Sequence, residues 1–322
     1  MTYPTFTANT LRPAQTPTLY FIGVTTGSSS IQTVFPIWAQ QLGLDGARLQ
    51  GIDLPLHAPR EDYRRVVEFI SSDPLSLGAL VTTHKIDLYH AASDLFDYID
   101  PFALLMGETS CISKTADGLL RCHAKDPISS GLALDAFVPD GYWSSTGAQA
   151  LSIGAGGSTI AICWYLSQSS KGADRPSSIV VSNRSQPRLD HLRESHGALV
   201  TDTPFEYVLA PEPADNDAVL ARLAPGSLVV NATGLGKDAP GSPLTNAARF
   251  PSDALVWELN YRGDLVFLEQ ARRQQSGLRH VEDGWIYFLH GWTQVIGEVF
   301  HVDIPTSGEK FDELSRSART AR

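Results

Sequence analysis

The sequence predicts an α/β protein of two domains, the second built as a doubly wound parallel sheet. Short apolar runs alternate with amphipathic stretches along nearly the whole chain, the pattern of strands and helices in alternation. Six such runs follow residue 148, enough for one complete doubly wound sheet. The first of the six leads into a glycine-rich turn and then an apolar helix. At 322 residues, the chain can bury two separate cores.

In the first third, Thr18–Val24, Arg48–Leu54 and Leu77–Thr82 read as strands, with helical patterns at Thr33–Leu42 and Arg60–Ser71 between them. Ser110–Ser113 and Leu119–His123 read as a hairpin around Asp117-Gly118, a pair that favours a primed turn. The Thr- and Pro-rich lead-in, residues 1–18, reads as loose. A longer helical stretch begins near residue 129, and the expected domain boundary lies at Asp126–Leu132. The later strands are Gln149–Ile153, Ser178–Ser182, Tyr207–Leu209, Ser227–Asn231, Ala254–Leu259 and Arg279–Val281. The turn clusters KGADRPSS, PEPADND and GKDAPGSP separate several of them. From Asp303 the chain is polar, as in a terminal helix or tail.

Composition narrows the function classes. Lys+Arg 25 against Asp+Glu 35 leaves a net charge of −10. That balance, with no basic run, argues against nucleic acid and anionic membranes as partners. No apolar run approaches the ~18 residues a membrane span needs, and the start lacks the features of a signal peptide. Cys111, Cys122 and Cys163 are too scattered for a disulfide framework or a cysteine metal site. A cytoplasmic protein without a metal is expected. Six of the basic residues are lysines, so each merits inspection.

The segment Leu151-Ser152-Ile153-Gly154-Ala155-Gly156-Gly157-Ser158-Thr159-Ile160-Ala161 is the most specific local signal. Gly154 permits a tight turn, Gly156 lets main chain approach a pyrophosphate, and Ala161 allows close helix–strand packing. Free N–H groups and the positive dipole end of the helix then face the phosphates. A Rossmann-type dinucleotide-binding domain is the expectation. The next strand ends in Ser182-Asn183-Arg184-Ser185. An acidic residue there would read the 2′-hydroxyl of NAD, whereas cationic Arg184 between hydroxyls suits a 2′-phosphate. NADP is therefore the favoured cofactor, with NAD as the alternative.

Taken together, these residues resemble the shikimate/quinate dehydrogenase family over most of the chain. GAGGSTIA is similar to the family's cofactor turn, and Asn183-Arg184-Ser185 to its N-R-T phosphate reader. Asn231-Ala232-Thr233-Gly234-Leu235-Gly236 resembles N-A-T-P-L-G, the loop near the nicotinamide ribose. Asp283-Gly284 resembles the start of a final helix that in the family packs back onto the substrate domain. Val81-Thr82-Thr83-His84-Lys85, Gly107–Ile112 and His123-Ala124-Lys125-Asp126-Pro127 resemble N-V-T-x-P-x-K, G-A-V-N-T-I and N-T-D-G. The resemblance implies a substrate domain at 1–128, a cofactor domain at 129–283 and a returning C-terminal segment at 284–322. It carries the family's catalytic pair onto Lys85 and Asp126. It implies cofactor contacts at Gly154, Ala155, Gly156, Gly157, Asn183, Arg184, Ser185, Asn231, Thr233 and Gly284. Substrate contacts fall on Ser28, Ser30, Thr82, Ser110 and Tyr261.

The polar substrate set departs from the family. Ala79, Val81, Ser110, Ala124 and Gly291 stand where the family has Asn, Thr, Asn, Asn and Gln. Removing such groups leaves substrate hydroxyls unpaired at about 1–3 kcal/mol each, which disfavours shikimate itself. Thr82, Thr83, His84, His123 and Lys125 are replacement candidates. Lys125 is read as a carboxylate binder, a modulator of Asp126 or a surface lysine. Trp285, Tyr287 and Trp292 make the final helix aromatic, which reads mainly as core packing. The expected activity is reversible hydride transfer between nicotinamide and a ring hydroxyl of a small cyclic, carboxylated alcohol. The alternatives are an NAD-dependent quinate or aminoshikimate type, or a non-catalytic ligand sensor. A monomer or homodimer is expected.

Overall fold

The computed structural model describes residues 3–197, 199, 201–237 and 239–321. The first two residues of the lead-in, Asp238 within the GKDAPGSP cluster, and the final residue lie outside them. The chain divides into two compact units: residues up to Lys125 with those from Gly291 onward, and Asp126–His290.

The first unit begins with β1 (Thr5–Phe6), β2 (Thr18–Gly23), α1 (Ile31–Gln41), β3 (Arg48–Asp53), α2 (Arg60–Ser72) and β4 (Ser76–Val81). It continues with α3 (Lys85–Ala92), β5 (Tyr98–Ile99), α4 (Pro101–Met106), β6 (Cys111–Lys114) and β7 (Leu120–His123). Strand order is β1-β3-β2-β4-β6-β7-β5. The first four run parallel, whereas β6 is antiparallel to both β4 and β7. β2 is buried along its whole length, as a central parallel strand of TLYFIG should be. α2 buries Tyr63, Val66, Val67 and Ile70, one stripe at helical spacing. Asp100 caps α4 by accepting from the Ala103 N–H at 2.6 Å, and Gly107 ends that helix at φ 61°.

Two sequence expectations are corrected here. The lead-in is not loose throughout, because Thr5 and Phe6 pair with Gly51 and Ile52 of β3. Thr5 Oγ1 also donates to Asp53 at 2.9 Å. The hairpin turn is not of a primed type. Only Gly118 has positive φ, at 89°, and its N–H donates to the Thr115 carbonyl. That is a type I turn closed by a left-handed glycine, with the Thr115 hydroxyl accepting from the Leu119 N–H.

The second unit starts with α5 (Asp126–Asp135), α6 (Tyr142–Thr146), β8 (Ala150–Ile153), α7 (Gly157–Ser167), β9 (Ile179–Asn183), α8 (Gln186–Gly197) and β10 (Phe205–Leu209). Then come α9 (Pro213–Leu220), β11 (Leu228–Asn231), β12 (Leu255–Glu258), α10 (Val266–Arg272) and β13 (His280–Glu282). All six strands are parallel, in the order β10-β9-β8-β11-β12-β13. This is the doubly wound arrangement, with its topological switch between β8 and β11. α11 (Trp285–Phe300) runs across the division at 290/291, and α12 (Glu309–Ala321) follows in the first unit. There the Trp38 indole donates to the Leu314 carbonyl at 2.9 Å, tying α12 to α1. Among the described residues, no helix is long and apolar enough to cross a membrane.

His196 on α8 is 5% exposed, with its ring 4.5 Å from Phe205 and Nδ1 3.0 Å from the Tyr207 hydroxyl. Burial pushes its pKa down to about 4. Between the unfolded value near 6.5 and that folded value, only the unfolded chain takes up this proton. Stability is therefore lost as pH falls through that window, by up to about 1.4 kcal/mol per pH unit for one histidine. Calorimetry at pH 7 and pH 5 is expected to show a smaller loss in His196→Phe than in wild type. Equal losses contradict the assignment.

Candidate active site

In the second unit, buried β8 leads into Gly154 at φ 113°. A Cβ on Gly154 would lie 2.8 Å from the Ala232 carbonyl oxygen, so main chain meets main chain there. The Gly154 N–H donates to the Ser182 carbonyl at 2.8 Å, and Thr159 Oγ1 donates back to the Gly154 carbonyl at 2.8 Å. Ala155 is buried, and Gly156 is the extended N-cap of α7. No atom lies within 4 Å of a Cβ built on Gly156, so the turn is open on that side. Gly157, Ser158 and Thr159 form the first turn of α7, where amides lack intrahelical acceptors. Open main chain and outward N–H groups at a helix start fit a diphosphate.

At the end of β9, the Asn183 amide donates to the Ser185 carbonyl at 3.1 Å. Arg184 is exposed, and Arg188 is exposed four residues later in the first turn of α8. Neither has a carboxylate partner among the described residues. Sequence reasoning missed Arg188, although its spacing from Arg184 was there to be read.

A buried polar chain lies where β11 and β12 end side by side. Asn231 is opposite Glu258 in register, and both are 0% exposed. The Asn231 amide donates to Glu258 Oε2 at 2.7 Å, and its own oxygen accepts from the Thr233 N–H and hydroxyl at 3.1 and 2.7 Å. Glu258 Oε1 accepts from the main-chain N–H and the amide of Asn260, each at 2.8 Å. Burial raises Glu258 to about 7 against the opposing effect of these donors. The Asn260 amide also reaches the Thr233 and Leu235 carbonyls, both at 3.1 Å. Gly284 packs tightly here, since a Cβ on it would sit 2.0 Å from the Leu259 carbonyl oxygen. Asn231, Thr233 and Gly284 were legible as motif residues. Glu258 and Asn260 were not, because they read as strand and loop.

Asp126 opens α5 and is 6% exposed. The Tyr287 hydroxyl lies 3.4 Å from Asp126 Oδ2 and 3.2 Å from Ser158 Oγ. It therefore links the carboxylate to the first turn of α7, a contact the packing expectation for Tyr287 did not contain. Tyr261 packs against α11, its ring tilted 4.3 Å from Phe288 and edge-on 6.3 Å from Trp285. Trp285 and Trp292 are core residues, as expected.

In the first unit, Lys85 is the first residue of α3, directly after β4 and a turn. Thr83 takes φ 63° in that turn, and the Lys85 carbonyl accepts from the Thr109 N–H at 3.0 Å. His84 is not a substrate contact. It is 1% exposed, donates through Nε2 to the Leu54 carbonyl and accepts at Nδ1 from the Tyr63 hydroxyl, both at 3.1 Å. Burial lowers its pKa, so it is a neutral anchor for the turn that precedes α3. Thr82 is half-buried, its N–H bonded to the Ile22 carbonyl. Ser28 is exposed and donates to the Thr25 carbonyl, while Ser30 precedes α1. The Ser110 hydroxyl accepts from the Lys125 N–H at 2.6 Å.

His123 is likewise structural. Its Nδ1 faces Asp100 Oδ2 and its Nε2 faces Glu298 Oε1, each at 3.2 Å, with Ser113 Oγ at 2.9 Å from Nε2. Lys125 pairs with the second Glu298 oxygen at 2.7 Å and is not a free surface lysine. Burial alone would raise Asp100 and Glu298. Hydrogen bonds from His123 to Asp100, and from Lys125 to Glu298, outweigh it and lower both.

Fold and site thus define a two-unit α/β protein whose second unit is a doubly wound parallel sheet with a glycine turn at its switch point. No model of a known protein family matches the chain. It is 27% identical over 228 residues to a shikimate dehydrogenase (NADP(+)) of Jannaschia sp. (strain CCS1), covering 70% of this chain and 71% of that one. Its fold is similar to shikimate dehydrogenase from Aquifex aeolicus (TM-score 0.72, 20% identity, 96% of this chain and 100% of that one). It is also similar to quinate dehydrogenase from Corynebacterium glutamicum in complex with NAD (TM-score 0.73, 17% identity, 95% and 99%). Shikimate 5-dehydrogenase from Thermus thermophilus in complex with NADP(H) and shikimate gives a TM-score of 0.68 at 20% identity, over 95% and 99%. In sequence the chain is thus similar to a shikimate dehydrogenase, and in fold to shikimate and quinate dehydrogenases.

The Glu298 ion pairs generate a stability prediction. Glu298→Leu leaves Lys125 and His123 buried without that carboxylate, and urea unfolding is expected to show a loss of about 3–5 kcal/mol. A loss below about 1 kcal/mol contradicts the description of this cluster.

Proposed function

We propose that the protein is an NADP-dependent dehydrogenase acting on a ring hydroxyl of a small cyclic, carboxylated alcohol. The observation that carries this reading is the open glycine turn at Gly154–Gly157, followed by exposed Arg184 at the end of the next strand. Ala155 and Gly284 complete the tight main-chain surroundings, and Asn183 and Ser185 shape the loop that presents Arg184. The guanidinium suits a 2′-phosphate through charge-assisted hydrogen bonds, and exposed Arg188 adds a second cation. The second unit takes the cofactor and the first takes the substrate.

When bound, nicotinamide supplies the hydride acceptor or donor. The protein handles the accompanying proton: oxidation of a hydroxyl releases a hydride and a proton, and the proton needs a base. Asp126 and Lys85 share that task. The carboxylate takes the proton, and the ammonium holds the hydroxyl and stabilises negative charge developing on its oxygen. Tyr287, within reach of Asp126 Oδ2, keeps that carboxylate oriented. Ser28, Ser30, Thr82, Ser110 and Tyr261 are the substrate-side candidates.

Ala79, Val81 and Ala124 are fully buried and offer no polar group where the family carries Asn, Thr and Asn. The preferred substrate therefore has fewer hydroxyls to pair than shikimate, or places them differently. Three buried thiols suit a cytoplasmic setting.

The test is absorbance at 340 nm with a panel of cyclic polyols and hydroxy acids, using NADP and NAD in turn. Wild type is expected to reduce NADP, and Lys85→Ala to lower kcat by about 100-fold or more. Arg184→Ala is expected to weaken NADP binding by about 10- to 100-fold while leaving NAD unchanged. Equal turnover by Lys85→Ala removes its assigned role, and unchanged NADP affinity in Arg184→Ala removes the phosphate reading. Cofactor binding without turnover across the panel points to a ligand sensor.

A further inference from the structure

We propose that Glu258 is a positioning residue for the cofactor loop: its carboxylate makes Thr233 present an acceptor, and not a donor, to a hydroxyl of the bound dinucleotide. This rests on the NADP-binding reading above, and it goes beyond the motif residues of that loop.

The hydrogen-bond chain is fixed at both ends by main-chain donors. The Thr233 N–H is a main-chain donor, so the Asn231 atom facing it at 3.1 Å is the amide oxygen. The Asn231 NH2 must then face Glu258 Oε2, at 2.7 Å, where an acceptor is required. At the other end, the Asn260 main-chain N–H fixes Glu258 Oε1 as an acceptor at 2.8 Å. Both carboxyl oxygens must therefore accept, which a carboxylate does and an amide, whose nitrogen only donates, does not.

The consequence reaches Thr233. Its hydroxyl proton goes to Asn231 Oδ1 at 2.7 Å, and one lone pair accepts from the Leu235 N–H at 3.2 Å. One lone pair remains, so outward from this loop Thr233 can only accept. Its fitting partner is a ligand hydroxyl that donates, as a ribose does. The loop itself lies directly against the glycine turn, since the Ala232 carbonyl is 2.8 Å from the place of a Gly154 Cβ. A buried anion is costly, and the donors of Asn231 and Asn260 offset part of that cost. Here that anion sets the polarity of the loop beside the proposed cofactor turn.

The substitution Glu258→Gln is the informative one because it is nearly isosteric. With its oxygen held by the Asn260 N–H, its NH2 meets the Asn231 NH2, donor against donor. Asn231 cannot flip without turning its NH2 onto the Thr233 N–H.

The experiment is fluorescence titration of NADPH into wild type, Glu258→Gln, Thr233→Val and the double variant. Glu258→Gln is expected to raise the Kd by about tenfold or more, and to add less than about twofold on top of Thr233→Val. Glu258→Asp, which keeps two acceptors, is expected to bind within about threefold of wild type even if thermal unfolding shows some lost stability. Glu258→Gln binding like wild type, additive losses in the double variant, or Glu258→Asp as weak as Glu258→Gln would each overturn the proposal. If wild type binds neither NADPH nor NADH, the NADP reading itself fails, and the proposal falls with it.

Discussion

The close approach of Gly154 to the Ala232 carbonyl is the constraint on which the cofactor unit depends. A doubly wound sheet has one place where neighbouring strands send their helices to opposite faces, and here it lies between β8 and β11. At that place two loops leave side by side, and only a residue without a Cβ lets them pass at this distance. The glycine turn and the Asn231–Gly236 loop are thereby held as one surface. The outward amides of α7 occupy one side of it and Thr233 the other.

Buried charge is treated differently in the two units. In the first, Asp100, His123, Glu298 and Lys125 form a cluster in which two carboxylates meet an imidazole and an ammonium within 2.7–3.2 Å. Their mutual bonds overcome desolvation and lower the two carboxyls. In the second, Glu258 accepts from Asn231 and Asn260, and burial still raises it to about 7. Ion pairs in the first unit join hairpin β6–β7 to α11. The carboxylate in the second holds Asn231 and Asn260 at the strand ends, where ligands bind in such folds.

Much of the fold was legible in the sequence. Parallel strands such as β2 and β11 are buried on both faces and read as continuous apolar runs, and the strand–glycine–helix segment carries its own punctuation. Two-residue strands leave no period to detect, so β1 and β5 went unread. The hairpin was correctly located, but its turn type depends on which of Asp117 and Gly118 takes positive φ, and composition does not decide that. His84 and His123 looked like ligand contacts because histidine is a versatile residue. Their partners, Tyr63, Asp100 and Glu298, are 21, 23 and 175 residues away, and only the folded chain reveals them. The same distance in sequence hid the Tyr287 contact with Asp126 and the pairing of Asn231 with Glu258.

The most direct measurement is a crystal structure determined with NADP bound. The account predicts the diphosphate over the amides of Gly156–Thr159, the 2′-phosphate within hydrogen-bonding distance of Arg184, and a ribose hydroxyl donating to Thr233. Dinucleotide density away from the glycine turn, or none at saturating NADP, would contradict it.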